Sequence, residues 1–225
     1  PVSRPCPQWA AAILSRACAA MFSGVNPYFS KSRAPSTDSP KCSRETIRPA
    51  LSSYRPQTVR TDRHTHQAHV MVGNRAYCVH DRRRMALYLL NNILGGPGMS
   101  ARLNLALRER RGLVYTVEST MVNYSTTGVW SIYFGCDAGD VDECMRLARM
   151  ELDRFMSVPL TDDELAVARQ QIKGQIGIAC DNRENLALDF GKGFLHYGWK
   201  KDITALFRDI DAVTADEVQA VAREL

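Results

Sequence analysis

The stretch GGPGMSARLNLALRERRGLVY, residues 95–115, decides the fold because it turns the chain from helix to strand. Its first four residues, Gly95-Gly96-Pro97-Gly98, end the apolar helix that precedes them, since glycine and proline disfavour continued helix. A second helix is predicted from about Ser100 to Arg110, and Gly112 ends it. The segment therefore predicts a helix-to-strand corner, with a new strand beginning at Val114.

Downstream of the corner, the sequence predicts an antiparallel hairpin. Two strands over residues 114–124 and 129–136 are joined by a short polar turn that contains glycine. In the second strand, alternate positions on one face are all apolar: Trp130, Ile132, Phe134 and Cys136. This alternation indicates a sheet with one buried face.

Upstream of the corner, the sequence predicts a strand and a helix. Ala68, Val70 and Val72 alternate with polar residues, which predicts a strand that closes at Gly73-Asn74. A helix follows from Asp81, its predicted N-cap, to Leu94.

Helical patterns fill the remainder of the chain. One apolar stripe over residues 141–155 consists of Val141, Cys144, Met145, Ala148, Leu152 and Phe155. Thr161 with Glu164, and Thr214 with Glu217, form capping-box patterns that begin two further helices. Helices are also predicted over residues 185–197 and 203–210. Strands early and helices late predict an α+β fold, in which an antiparallel sheet is packed by several helices.

The first 60 residues differ in composition from the rest. Residues 1–60 hold nine Lys and Arg against two acids, whereas residues 61–225 hold 20 bases against 22 acids. The sequence thus predicts a disordered leader or linker over 1–60 and an α+β domain over 61–225. Since the predicted domain is mildly acidic, nucleic-acid binding is disfavoured. The sequence contains no apolar run of about 18 residues, which is the length needed to span a membrane.

The cysteines bear on the cellular compartment. The seven cysteines show no C-x-x-C spacing, which favours unpaired thiols in a reducing compartment. A cytoplasmic location is therefore expected.

The sequence lacks the motifs of several enzyme classes. No histidine is followed by glutamate and no glutamate by histidine, so neither H-E-x-x-H nor H-x-x-E-H is present. His64, His66 and His69 would share a metal only if a turn brought them together, because His69 faces the other side of a strand. Surface imidazoles are the favoured interpretation. The loop GGPGMS also lacks the Lys-Ser/Thr ending of a phosphate-binding loop.

Arg108 and Tyr115 are the candidate functional residues. Arg108 lies near the end of the predicted second helix and Tyr115 on the next strand, so a turn at Gly112 can bring both to one rim. A guanidinium and a phenol are donors that suit a peptide carbonyl as it becomes an oxyanion. On spacing alone, a surface arginine and a core tyrosine are the more common interpretation.

The segment resembles a known family. GGPGMSARL followed by LRERRGLVY is similar to the G-M-S-S-R-L-F…L-R-E-K-R-G-L-A-Y-S block of the pitrilysin/insulinase family of zinc metallopeptidases, which includes the mitochondrial processing peptidases. The likeness covers roughly residues 66 to 224 and includes Gln67-Ala68-His69-Val70. Ala101 stands where Ser or Asn is commoner. The family's opening strand and helix have no convincing counterpart within residues 1–60.

The resemblance implies a role as half of an enzyme. In this family, a domain with H-x-x-E-H binds zinc, and a similar C-terminal domain without zinc supplies an arginine and a tyrosine to the peptide substrate. Those two residues map onto Arg108 and Tyr115. The expected partners are a zinc-bearing homologous domain, fused or separate, in a dimer-like pairing, and a peptide substrate. The chain itself is expected to hold no metal or cofactor and to be inactive alone. The alternative is a non-catalytic structural or substrate-presenting subunit of a processing-peptidase-like heterodimer.

Overall fold

A computed structural model describes residues 54–62, 65–198 and 202–225. The chain divides into two units. The described part of the larger one comprises residues 54–62, 65–178 and 202–225, and that of the smaller one residues 179–198. Most of the predicted leader over residues 1–60 lies outside the described residues, as does His64.

The described residues form strands and helices in the predicted order. They are β1 (Gln67–Ala76), α1 (Arg84–Gly95), a π-helical segment (Asn104–Glu109), β2 (Val114–Asn123), β3 (Gly128–Asp137), a 3-10 turn (Ala138–Asp140), α2 (Val141–Ser157), α3 (Asp162–Asp181), α4 (Arg183–Tyr197), α5 (Ile203–Ala212) and α6 (Ala215–Glu224). Of these, α4 lies in the smaller unit. Among the described residues, every helix is too short or too polar to cross a lipid bilayer.

The strands form an antiparallel sheet in the order β1-β3-β2. The predicted hairpin is confirmed, and the four alternate residues of β3, Trp130, Ile132, Phe134 and Cys136, are all buried. With helices packed on this buried face, the structure confirms the α+β fold.

The prediction that β1 closes at Gly73-Asn74 is wrong. β1 continues through both residues to Ala76, and Asn74 lies opposite Trp130. A glycine is needed at position 73, because a Cβ there would lie 2.6 Å from the carbonyl oxygen of Trp130. Gly73 therefore permits close strand pairing and does not end the strand.

The apolar core lies between the sheet and its helices. The central residues of α1, including Leu87, Leu89 and Leu90, are fully buried. Along α2, the buried residues are Cys144, Leu147, Ala148 and Phe155. The predicted stripe is thus partly wrong: Met145 is 36% exposed, and Leu147 takes its place in the core.

Both predicted capping boxes are confirmed. The Thr161 N–H donates to the Glu164 carboxylate at 3.0 Å, and the Glu164 N–H donates to Thr161 Oγ1 at 3.2 Å. The same reciprocal pair joins Thr214 and Glu217 at the start of α6. Asp81 behaves differently from the prediction: α1 begins at Arg84, and Asp81 accepts the N–H of Arg83 in the turn before it.

Candidate functional site

The corner, residues 95–120, joins the end of α1 to the first half of β2. Gly95 lies against β2 so closely that a Cβ on it would be 2.7 Å from both the N and the Cβ of Ser119. The helix can approach the strand to this extent because Gly95 carries no side chain. The glycine stop predicted from the sequence thus also sets the spacing between helix and strand.

A buried polar network fixes this contact. The Ser119 hydroxyl donates to Asn91 Oδ1 at 2.6 Å, and the Trp130 indole N–H donates to Ser119 Oγ at 3.0 Å. All three side chains are buried. Because buried polar groups are costly unless they are paired, this network holds α1, β2 and β3 in one arrangement.

The predicted second helix is irregular. Instead of a continuous α-helix from Ser100 to Arg110, residues 104–109 form a π-helical segment. The chain then turns at Gly112, which has a φ of +63°. The Gly112 N–H donates to the Arg108 carbonyl at 2.8 Å, and the Leu113 N–H donates to the Leu107 carbonyl at 2.9 Å. Single π-helical turns are frequent at functional sites, because they re-aim side chains.

A groove runs beside β2, and we name it the β2 groove. It has a volume of about 410 Å³. Its walls are the end of α1, the glycine loop (residues 95–98), Met99, Asn104, Arg108, residues 116–120 of β2, and Gln175 of α3.

Arg108 lines the β2 groove. Two other arginines of the corner segment are held by ion pairs, Arg102 with Glu164 at 3.0 Å and Arg111 with Glu143 at 2.6 Å. Among the residues that the structure describes, none forms an ion pair or a side-chain hydrogen bond with the Arg108 guanidinium. Arg108 therefore offers the groove a cation whose donors are free for a ligand.

Tyr115 occupies a β-bulge at the start of β2. Val114 lies opposite Cys136 and Thr116 opposite Gly135, so Tyr115 is the extra residue. Its side chain is 59% exposed, and its hydroxyl donates to Asp137 Oδ1 at 3.0 Å. This hydrogen bond to a carboxylate is the main cause that raises the pKa of Tyr115, so the phenol stays protonated at neutral pH.

The structure does not bring Tyr115 into the groove. Tyr115 is not among the lining residues, although Thr116, the next residue, is. No hydrogen bond joins the two predicted residues within the described part of the chain. Their joint role at one rim stays a prediction.

The resemblance assigns the zinc ion to a partner domain, and the described residues of this chain do not form a site that fits it. Within residues 54–62, 65–198 and 202–225, no three histidine, cysteine, aspartate or glutamate side chains converge as metal ligands. His66 is exposed, and His69 Nδ1 lies 2.8 Å from the Tyr133 hydroxyl. No chemical step is therefore assigned to a metal on these residues.

Sequence reasoning missed the residues that shape the groove. Asn91 and Ser119 were not singled out, although an asparagine near the end of an apolar helix is a signal of a buried polar contact. The position of Glu118 and Gln175 on the groove wall depends on tertiary packing and leaves no local signal.

Comparison with known proteins places the chain in a family. Residues 22–172 match the family model described as "Peptidase M16 inactive domain". The match begins within the N-terminal segment that composition sets apart, so the boundary at residue 60 stays a prediction. An uncharacterised zinc protease of Streptomyces coelicolor is 35% identical over 186 residues, which are 83% of this chain and 39% of that protein. One from Bacillus subtilis is 30% identical over 161 residues, 72% of this chain and 39% of that protein.

Solved structures show the same fold. A peptidase M16 inactive domain from Pseudomonas fluorescens has a TM-score of 0.63 at 22% identity, covering 71% of this chain and 38% of that chain. A protease from Helicobacter pylori has a TM-score of 0.65 at 17% identity, covering 72% and 39%. The chain thus spans about two fifths of the length of these proteins and of the curated relatives. Together, the family match, the curated relatives and the corner motif show that this chain belongs to the peptidase M16 inactive domains, the C-terminal domains of the pitrilysin/insulinase family.

Proposed function

We propose that this chain is the substrate-binding half of a zinc metalloendopeptidase, and that Arg108 and Tyr115 contact the peptide that is cut. Two curated relatives at 30% and 35% identity are named zinc proteases, and the chain spans 39% of the length of each. The remainder of such a protein has room for a zinc-bearing domain. In this proposal, that domain is fused to the chain or paired with it as a separate subunit.

The observation that carries the proposal is the unpaired guanidinium of Arg108 in the β2 groove. A planar, permanently charged donor can bind a peptide carbonyl and stabilise the negative charge that develops on its oxygen. Arg102 and Arg111 cannot do this as readily, because carboxylates already occupy them.

Tyr115 would act as a second donor. It is protonated at neutral pH, since hydrogen bonding to Asp137 raises its pKa. A phenol has a single O–H, so Tyr115 must release Asp137 before it can donate to a substrate oxygen. The exposure of its side chain leaves room for that rotation.

The test is Arg108→Gln in the intact peptidase that contains both this chain and its zinc-bearing domain. We expect turnover of a fluorogenic peptide to fall about 100-fold, the cost of losing one oxyanion donor. Arg111→Gln is the matched control, because it removes an arginine three positions away that only pairs with Glu143. Equal turnover in the wild type and both variants would contradict the proposal.

A second candidate function is a non-catalytic subunit. The mitochondrial-processing peptidase subunit beta of Blastocladiella emersonii is 31% identical over 116 residues, 51% of this chain and 25% of that protein. In this alternative, the chain binds a partner subunit and contributes nothing to bond cleavage. It predicts that Arg108→Gln leaves turnover unchanged, whereas disrupting the subunit pairing abolishes it.

A further inference from the structure

A second pocket lies between α2, α3 and the segment that follows the glycine loop, and we name it the α2–α3 pocket. Its volume of about 320 Å³ falls within the range of small-molecule sites, about 300–1,000 Å³. Residues 100–102 of the corner line it, together with Glu151 and Arg154 of α2 and several residues of α3. It shares Asn92 with the β2 groove and no other lining residue. The larger unit therefore offers a space that the proposed function does not use.

Two buried polar groups without a partner belong to this pocket. Within the residues that the structure describes, three buried side-chain nitrogen or oxygen atoms have no hydrogen-bond partner: Asn92 Nδ2, Glu151 Oε2 and Arg169 Nε. Asn92 and Glu151 both line the pocket, and Asn92 is only 4% exposed. Buried polar groups in folded proteins nearly always have a partner. Their concentration in one pocket indicates that a bound molecule supplies the missing partners.

The pocket also holds two guanidinium groups that are available to a ligand. Arg102 is already engaged, because it pairs with Glu164 at 3.0 Å. The guanidinium groups of Arg110 and Arg154 form no ion pair and no hydrogen bond with any other described residue. Since the Arg102–Glu164 pair is neutral, the charges left for a ligand are two cations and the carboxylate of Glu151.

These charges define the chemistry of the ligand. Two guanidinium groups suit a carboxylate, which accepts their N–H donors. The Glu151 carboxylate can only accept hydrogen bonds, so it requires a donor such as an ammonium group. The last torsion of a glutamate is broad and two-fold, so either oxygen can face the pocket. Ile93, Leu105 and Val167 give the pocket an apolar side. A carboxylate, an ammonium group and an apolar side chain together make an apolar α-amino acid.

We propose that the α2–α3 pocket binds a free α-amino acid with an apolar side chain. The carboxylate of the ligand pairs with Arg110 and Arg154, its ammonium group donates to Glu151, and its side chain covers Ile93 and Leu105. A simple anion fits less well, because it would bring no donor to the Glu151 carboxylate. This site goes beyond the proposed function and does not depend on it, since none of these residues is assigned a contact with the peptide that is cut.

The test compares L-leucine with three analogues, each of which lacks one part of it. Isocaproate lacks the ammonium group, isoamylamine lacks the carboxylate, and glycine lacks the apolar side chain. Binding to the full chain is followed by the shifts of amide resonances in an NMR titration. We expect leucine to bind saturably. Each analogue should bind at least about tenfold more weakly, because it loses a charged contact or the burial of the side chain.

Two protein variants test the assignment of the charges. Glu151→Gln keeps the shape of the side chain but removes its charge. Leucine should then bind at least about tenfold more weakly, whereas isocaproate should bind more tightly than it does to the wild type. Damage to the fold would not move these two ligands in opposite directions. Arg154→Gln should weaken leucine and isocaproate alike without weakening isoamylamine.

Arg149→Gln is the matched control for the variants. It removes a neighbouring arginine of α2 that pairs with Asp153 at 2.8 Å and does not line the pocket. The affinity for leucine should therefore stay unchanged in this variant. If Glu151→Gln or Arg154→Gln fails to fold, the four ligands on the wild-type chain still decide the question.

Two results would overturn the amino-acid site. One is the absence of saturable leucine binding, or leucine binding that both Glu151→Gln and Arg154→Gln leave unchanged. The other is equal affinity of the wild type for leucine and any one of the analogues. Equal affinity for isocaproate, in particular, would make the pocket a site for anions alone.

Discussion

Two regions of the larger unit differ in whether their polar side chains have partners. Near the C-terminus, Tyr77, Asp81, Arg83 and Glu224 form what we call the α6 network. Arg83 pairs with Asp81 at 2.8 Å and with Glu224 at 2.9 Å, and its guanidinium lies 4.5 Å from the centre of the Tyr77 ring. Tyr77 in turn donates to Glu224 at 2.6 Å. Burial and this bond raise the pKa of Tyr77 well above its usual range.

The corner holds polar groups that the described structure leaves unpaired. Its backbone is fixed by Gly95 and by the Asn91–Ser119–Trp130 network, yet the Arg108 guanidinium has no partner among the described residues. Paired groups can contribute to stability, whereas unpaired groups on a rigid framework are available for a ligand. Variants of the corner's free groups should therefore change function, and variants of the paired region should change stability.

The largest expected effect is that of Tyr115→Phe in the intact peptidase. We expect turnover to fall about 100-fold, because one oxyanion donor is lost. Zinc content and melting temperature should stay unchanged, since the Tyr115 side chain is exposed. Tyr124→Phe, another exposed tyrosine, is the control. Loss of zinc or of folded protein in Tyr115→Phe would show that the residue is structural.

Gly95→Ala should produce the next largest effect, on stability. The new Cβ would lie 2.7 Å from backbone and side-chain atoms of Ser119, so α1 or β2 must shift. We expect a loss of about 1–3 kcal/mol in the free energy of unfolding, measured with urea. Gly139→Ala is the matched control, because a Cβ there meets nothing within 4 Å. Equal stability of the two variants would show that the close approach of α1 to β2 does not require glycine at position 95.

Thr214→Ala should destabilise the chain without changing the turnover of the intact peptidase. It removes the side chain that accepts the Glu217 N–H at the start of α6. Losing an N-cap of this kind costs about 1 kcal/mol. Thr126→Ala, in the exposed hairpin turn, serves as the reference in thermal unfolding. A lower turnover in Thr214→Ala than in Thr126→Ala, measured where both variants are folded, would contradict the distinction between the two regions.

The smallest effect concerns the pH dependence of stability. Hydrogen bonding to Arg83 lowers the pKa of Asp81 below its ordinary 3.8. The stabilisation is therefore fully present above pH 3.8 and is lost as the pH falls through the lower value in the folded state. Because the pair is partly exposed, it should be worth only about 0.2–1 kcal/mol. Urea unfolding of wild type and Asp81→Asn should differ at neutral pH and converge in acid. A constant difference would mean that the ion pair contributes nothing.

Much of this fold could be predicted from local patterns. The β2–β3 hairpin follows from alternation, and two helix starts follow from the capping pairs at Thr161 and Thr214. Where local rules failed, tertiary packing decided. Gly73 resembles a strand end, yet it allows β1 to approach β3. Leu147 is buried in place of Met145, because the elements packed on α2, above all α6, decide which face of the helix is covered.

Only part of the candidate functional site could be predicted from the sequence. Arg108 could be named from its motif, but its freedom from ion pairs depends on where Glu143 and Glu164 lie, since these carboxylates engage Arg111 and Arg102.

At Gly112, the backbone conformation restricts the handedness of the residue, whereas the surrounding space does not restrict the size of its side chain. Its φ of +63° disfavours every L-amino acid with a side chain, yet a Cβ at this position would meet no atom within 4 Å. A D-alanine introduced by chemical ligation would adopt this φ readily and would restrict the unfolded chain. The corner that positions Arg108 could therefore be stiffened by a mirror-image residue, at a place where the ordinary genetic code offers only glycine without strain.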